Sequence, residues 1–167
     1  MKYHGIVKDR QLKKTLKQYL KSYGLKTPVC KAPFVSMSVG MTGFVSPCCY
    51  TQSYHAESFS QERYPTRSLM EIWEGNDFQN YRNQLKHFRF PLECEICEDA
   101  IREKHFESSK MRMYECFRKH KEFPVMLEIA VDNTCNLECV MCNSLLSSKI
   151  AQREGVKFDN GIDLHQF

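Results

Sequence analysis

The period of the hydrophobic positions changes several times along the chain. Leu12, Leu16, Tyr19, Leu20 and Tyr23 follow at steps of 4, 3, 1 and 3, which places them on one face of a helix. Lys13, Lys14, Lys17 and Lys21 cover most of the remainder, and Gly24 is a stop signal. A solvated helix docked by its Leu/Tyr stripe is the preferred reading over a nucleic-acid or partner-binding arm, because charge runs usually face water. From Cys30 the texture becomes extended. Val35, Met37 and Val39 alternate with Ser36 and Ser38, the period of a half-buried strand. Gly40-Met41-Thr42-Gly43 reads as a four-residue loop, and Phe44-Val45-Ser46 resumes extended character before Pro47. Antiparallel pairing about that loop places Val35 opposite Cys48, with Cys30 just beyond the strand end.

Thr51 to Pro65 is polar and reads as a loop. Ser68-Leu69-Met70-Glu71 is a capping box, Ile72 and Trp73 give a short helix its apolar side, and Gly75 stops it. Asn76 or Asp77 then caps a second helix in which Phe78, Tyr81, Leu85 and Phe88 recur at 3, 4 and 3. Such an aromatic stripe is read as core in preference to a ligand-stacking surface. Glu98 to about Lys121 is strongly charged and is expected to be a helical connector. Val125 to Val131 is a nearly unbroken apolar run with the pattern of a buried parallel strand. A cysteine loop from Asn133 to Cys142 and a helix starting in Ser144 to Gln152 follow it.

Composition sharpens this picture at one point. The 167 residues are 42% hydrophobic and 26% charged, with a net charge of +4, so the chain is globular and its basic excess does not argue for nucleic acid. Nine cysteines, however, far exceed ordinary use. Residues 1–26 lack an apolar signal core, and no run of 18 apolar residues offers a membrane span. A cytoplasmic, reducing setting follows as the expectation, in which clustered cysteines are metal ligands rather than disulfides. Histidines 4, 55, 87, 105, 120 and 165 show no ligand spacing, and no phosphate loop or nucleophile elbow is present.

The sharpest signal is Cys135-Asn136-Leu137-Glu138-Cys139-Val140-Met141-Cys142. Three thiolates at intervals of four and three suit a loop wrapped round one cubane, leaving the fourth iron open for another ligand. A three-cysteine zinc loop is the alternative. The apolar strand, then Thr134-Cys135-Asn136-Leu137, Cys139 and Cys142, resembles the first strand and CxxxCxxC loop of the radical S-adenosylmethionine (SAM) superfamily. The resemblance implies a [4Fe–4S] cluster on Cys135, Cys139 and Cys142 whose open iron chelates SAM. It also implies reductive cleavage of SAM to a 5′-deoxyadenosyl radical that abstracts hydrogen. Met141 stands where many members carry an aromatic residue.

A second set precedes it. Cys30, Gly43, Cys48 and the Cys94-x-x-Cys97 pair, together with the hairpin, the Leu69–Trp73 helix and Arg82, resemble the auxiliary-cluster domain called SPASM in its shortened twitch form, over residues 29–99. The resemblance implies an auxiliary [4Fe–4S] cluster on Cys30, Cys48, Cys94 and Cys97, and its Gly-x4-Cys spacing selects Cys48 over Cys49. Taken by themselves, four such cysteines equally describe a zinc ribbon. Cys49 and Cys116 are expected to be spare thiols.

The expected organisation is therefore a basic amphipathic helix (1–28), an α+β twitch/SPASM-like domain of hairpin plus helices (29–99), a helical connector (100–123), and the first strand, loop and helix of an α/β partial TIM barrel (124–167). A complete eight-unit barrel takes about 250 residues, roughly 31 per unit. Val125 to Phe167 supplies 43. The expectation is thus a radical SAM enzyme cut early in its barrel and inactive by itself. The implied partners are an electron donor such as a flavodoxin or ferredoxin and a peptide, protein or small-molecule substrate, with neither membrane nor nucleic acid. A non-catalytic zinc-binding interaction module is the alternative from another class, and a two-cluster electron carrier is a third.

Overall fold

The computed structural model describes residues 10–25, 29–51, 59–60, 62–120 and 122–157. Most of the expected Thr51–Pro65 loop, and His4, His55 and His165, lie outside those residues. Helix α1, Arg10–Ser22, buries Leu12, Leu16, Tyr19 and Leu20, as the stripe requires. It closes on Gly24, whose φ of 62° lets Leu25 N–H reach Leu20 O at 2.7 Å and Gly24 N–H reach Lys21 O at 3.2 Å.

Cys30 is followed by one helical turn, α2 (Ala32–Val35), with Pro33 in its first turn. Strand β1 is Ser36–Val39, so Val35 belongs to the turn and not to the strand. All four β1 residues are buried, where alternation predicts a half-buried strand. The reason is its central place in a three-stranded sheet of order β2-β1-β3.

The hairpin register differs from expectation by one step. Ser38 pairs with Ser46 and Val39 with Val45, in β2 (Val45–Ser46). Gly40 N–H bonds Phe44 O at 2.9 Å, which leaves a three-residue loop, and Gly43 takes φ 81°. A left-handed residue ending a three-residue loop is a favoured way to turn a twisted pair. Val35 therefore does not face Cys48. Gly43 also receives the segment after residue 60: Tyr64 N–H donates to Gly43 O at 2.8 Å, and a Cβ at Gly43 would stand 2.2 Å from Tyr64 O.

Helix α3, Leu69–Glu74, begins with the expected capping box: Ser68 Oγ accepts from Glu71 N–H at 3.2 Å, and Glu71 Oε2 accepts from Ser68 N–H at 2.9 Å. Gly75 ends α3 and is also the N-cap of α4, Asn76–Lys86, in place of the expected Asn76 or Asp77. With one residue between the helices there is no room for a separate capping side chain. Phe78, Tyr81 and Leu85 are buried as the stripe predicts. Phe88 instead leaves the helix with φ 58° and is partly buried.

Arg82 lies on the same helix and is 8% exposed. Its Nε donates to Pro33 O at 2.6 Å and its Nη1 to Trp73 O at 2.8 Å, while the guanidinium lies 4.1 Å from the Trp73 ring centroid. Burial lowers its pKa to about 10, which leaves it charged at neutral pH.

The expected connector is not one helix. Helix α5, Glu95–Arg102, carries Cys97 and packs against α1. Two 3₁₀ turns follow, Phe106–Ser108 and Lys110–Tyr114. Met111 and Tyr114 are three residues apart, so on a 3₁₀ turn they face the same way, into the core. Tyr19 donates to the Glu115 carboxylate and Lys31 Nζ to Glu115 O at 2.7 Å, which ties this stretch to α1 and to the approach to α2.

Strand β3, Met126–Ile129, pairs in parallel with β1, from Ser36↔Met126 to Val39↔Ile129. Parallel pairing agrees with the apolar run, but the expected burial does not hold. Leu127 and Glu128 are exposed, because β3 is an edge strand of the hairpin's own sheet and no described helix covers its outer positions. Helix α6, Ser148–Glu154, is capped by Ser147 and buries Ile150 and Ala151. The described chain is thus a small α+β fold with one three-stranded sheet. Among the described residues no helix is long and apolar enough to cross a membrane.

Gly43→Ala should destabilise the chain by about 2 kcal/mol or more, since it adds a left-handed-φ penalty to a backbone clash. Arg82→Ala should cost about 3 kcal/mol, because it leaves two buried carbonyls unbonded and a cavity beside Trp73. Urea unfolding of each variant against the parent chain measures both.

Candidate metal centre

Four of the nine cysteines share one hollow. Cys30 enters it from the approach to α2, Cys48 from just beyond β2, Cys94 from the end of a 3₁₀ turn (Leu92–Cys94), and Cys97 from the first turn of α5. The Cys-x-x-Cys spacing places Cys94 and Cys97 on one side of a helix start. The hairpin and α2 bring the other two thiols, which are remote in sequence.

Polar hydrogens surround these sulfurs. Ala32 N–H donates to Cys30 Sγ at 3.4 Å. Thr51 N–H donates to Cys48 Sγ at 3.4 Å, and Thr51 Oγ1 lies 3.3 Å from the same sulfur. Tyr81 Oη is 2.9 Å from Cys94 Sγ. Burial raises the Cys97 pKa, and backbone hydrogen bonds from Lys110 and Met111 partly offset that rise. Cys30 and Cys94 are pushed well above the ordinary thiol range, first by burial and further by the neighbouring cysteines. Cys48 is raised by burial too, against the pull of its hydrogen bonds with Thr51. At neutral pH the metal-free thiols are therefore protonated, and a metal group entering the hollow displaces those protons.

An all-thiol set suits an iron–sulfur cluster or zinc and suits hard cations poorly. The thiols line the hollow without converging on a point: among the described residues, no three or more His, Cys, Asp or Glu side chains are grouped closely enough to hold one metal ion.

Cys49 does not line the hollow; its Sγ lies 3.8 Å from Tyr114 Oη. Cys116 is exposed. Of the described histidines, His87 Nδ1 lies 2.8 Å from Asn83 O, His105 lies 3.4 Å from Glu103, and His120 stacks on Phe123, so none lines the hollow.

Cys135, Cys139 and Cys142 lie on the loop between β3 and α6. Its base is well tied: Cys135 N–H donates to Ser148 Oγ and Ser148 Oγ to Cys135 O, both at 3.0 Å, and Lys149 N–H bonds Cys135 O at 3.1 Å. Cys142 N–H closes a turn on Cys139 O at 2.9 Å. Cys139 is exposed, Cys135 and Cys142 are half-buried, and Val140 and Met141 stand in solvent. The fold positions the loop but does not draw these three thiols together to a single ion's spacing.

Sequence reasoning missed several lining residues. Tyr81 is read there as core packing, and its ring does pack edge-on against Phe59, but its hydroxyl reaches Cys94. Thr51, Lys110, Met111 and Tyr114 also line the hollow. Only the three-residue spacing of Met111 and Tyr114 hinted at burial, and it sits within a charged stretch.

Residues 30–98 match the family model of SPASM, an iron–sulfur cluster-binding domain. The matched segment begins at Cys30 and ends one residue past Cys97, so it contains all four cysteines of the hollow. The class of group for which this segment is built is therefore an iron–sulfur cluster. The match covers that segment and not the whole chain. Neither a curated protein nor a solved structure matched the chain.

Since the folded thiols have raised pKa values, the native state holds more protons than the unfolded state at alkaline pH. The metal-free, reduced chain should be most stable below about pH 9, the ordinary thiol value here, and should lose stability as pH rises through it. Urea midpoints at neutral pH and at about pH 10 check the sign; equal midpoints contradict it.

Proposed function

We propose that this chain is an iron–sulfur protein of the radical SAM type. In this reading Cys30, Cys48, Cys94 and Cys97 hold an auxiliary [4Fe–4S] cluster, and Cys135, Cys139 and Cys142 hold a second cluster with one open iron. The observation that carries the reading is the shared hollow: four thiols from a hairpin and a Cys-x-x-Cys helix start line it, inside the segment that matches an iron–sulfur domain. The support for a cluster over zinc is the match of residues 30–98 to an iron–sulfur cluster-binding domain.

The chain's own contribution is to bury the ligands, to supply N–H and O–H donors to their sulfurs, and to exclude water with Tyr81 and Met111. When bound, the clusters supply one-electron chemistry, and the open iron of the Cys135–Cys142 site supplies reductive cleavage of SAM. The reading includes an electron donor of the flavodoxin or ferredoxin kind. Its substrate is a peptide or protein, a choice supported only by the twitch resemblance of residues 29–99.

Anaerobic loading with iron and sulfide should give a brown protein with about eight iron per chain. Cys139→Ala should lower that to about four, and Cys94→Ala should remove the complementary set. Colourless protein that takes up zinc and no iron overturns the cluster reading. Loss of all iron on Cys139→Ala overturns the assignment of two separate sites.

A further inference from the structure

Two side-chain hydroxyls point at sulfurs of the hollow. Tyr81 Oη lies 2.9 Å from Cys94 Sγ, and Thr51 Oγ1 lies 3.3 Å from Cys48 Sγ. A cysteine that ligates a metal is deprotonated, so its sulfur can only accept a hydrogen bond. In a loaded site the proton in each contact therefore belongs to the hydroxyl. Thr51 Oγ1 is also 3.5 Å from Tyr81 Oη, at the outer limit of a hydrogen bond, so its better acceptor is the Cys48 sulfur.

Resting on the auxiliary-cluster reading above, we propose that Tyr81 and Thr51 are positioning residues that set the reduction potential of that cluster by donating hydrogen bonds to the sulfurs of Cys94 and Cys48. Reduction adds one electron to the cluster and makes it more negative by one charge. No bond forms or breaks, and both hydroxyls keep their protons. A donor on a ligand sulfur stabilises the more negative state more, so it raises the potential.

Packing does not require either hydroxyl. The Tyr81 ring already meets Phe59 edge-on at 5.1 Å, a contact that phenylalanine preserves. Ala32, Lys110 and Met111 act on Cys30 and Cys97 through backbone N–H groups, which side-chain substitution leaves in place, and the Ser109 hydroxyl also acts on Cys97. Tyr114 supplies an internal control. It lines the same hollow, but its hydroxyl faces Cys49, 3.8 Å away and outside the four.

The test uses the full chain in a Cys139→Ala background, loaded anaerobically and titrated with dithionite as reductant. Electron paramagnetic resonance follows the auxiliary cluster alone. Tyr81→Phe should shift the reduction equilibrium about tenfold toward the oxidised state, a fall of about 59 mV for a one-electron couple, with iron content unchanged. Thr51→Val should shift it in the same direction by less, and Tyr114→Phe should leave it in place. Loaded Tyr81→Phe and Thr51→Val with the parental potential overturn the proposal while leaving the cluster reading intact. So does a Tyr114→Phe shift as large as that of Tyr81→Phe. If Tyr81→Phe takes up no iron, the potential of Thr51→Val decides; if neither variant loads, the hydroxyls are structural and the proposal fails. Failure of the parent background itself to take up iron overturns the cluster reading instead.

Discussion

The guanidinium of Arg82 is the tie on which the four-thiol hollow depends. A buried cation is costly unless its hydrogens are bonded, and Arg82 meets part of that cost by donating Nε and Nη1 to carbonyls of two different elements, Pro33 in α2 and Trp73 in α3, while Nη2 is buried without a partner among the described residues. The first bond fixes the turn that begins two residues after Cys30. The second holds α3 against α4. Tyr81, the residue just before it on α4, reaches Cys94. One helix thereby sets the hairpin side of the hollow and the Cys-x-x-Cys side at the same time.

The energetics of the hollow favour occupation. Four neutral thiols in a low-dielectric cavity are tolerable, but four thiolates are not, and the upward pKa shifts express that cost. A metal group removes the conflict by replacing protons with positive metal charge. The hydrogen-bond donors around the sulfurs then act on charged acceptors, where such bonds are stronger. In the proposed reading the surroundings that make the metal-free site resist ionisation are those that adjust the electron affinity of the bound cluster.

The sheet links the two cysteine sets. Strand β3 runs parallel to β1 and leads directly into the Cys135–Cys142 loop, while β1 begins six residues after Cys30. Hydrogen bonds from Val125 N–H to Val35 O and from Ala130 N–H to Val39 O, each 2.9 Å, lock that register. The loop's base is fixed by Ser148, yet Val140 and Met141 project outward. The loop is thus anchored to the scaffold while its middle faces solvent.

Local signals were legible in the residues themselves. The Leu/Tyr stripe of α1, the Ser68–Glu71 capping box and the Phe78–Leu85 periodicity depend on contacts within one or two helical turns, so spacing alone carries them. The cysteine spacings likewise pointed to Cys30, Cys48, Cys94 and Cys97, which the fold gathers round one hollow. Tertiary structure decided what depends on distant partners. The three-residue hairpin loop follows from Gly43 adopting φ 81° against Tyr64, a contact across twenty residues of chain. The edge position of β3 follows from its pairing with β1, which leaves an apolar run half uncovered. The 3₁₀ turns at 106–114 prevailed over a charged pattern because Met111 and Tyr114 fill the core beside the thiols. Placing the Tyr81 hydroxyl on Cys94 required α4 to be brought against the 3₁₀ turn Leu92–Cys94, since a helical stripe specifies which face is buried and not what its polar tip will meet.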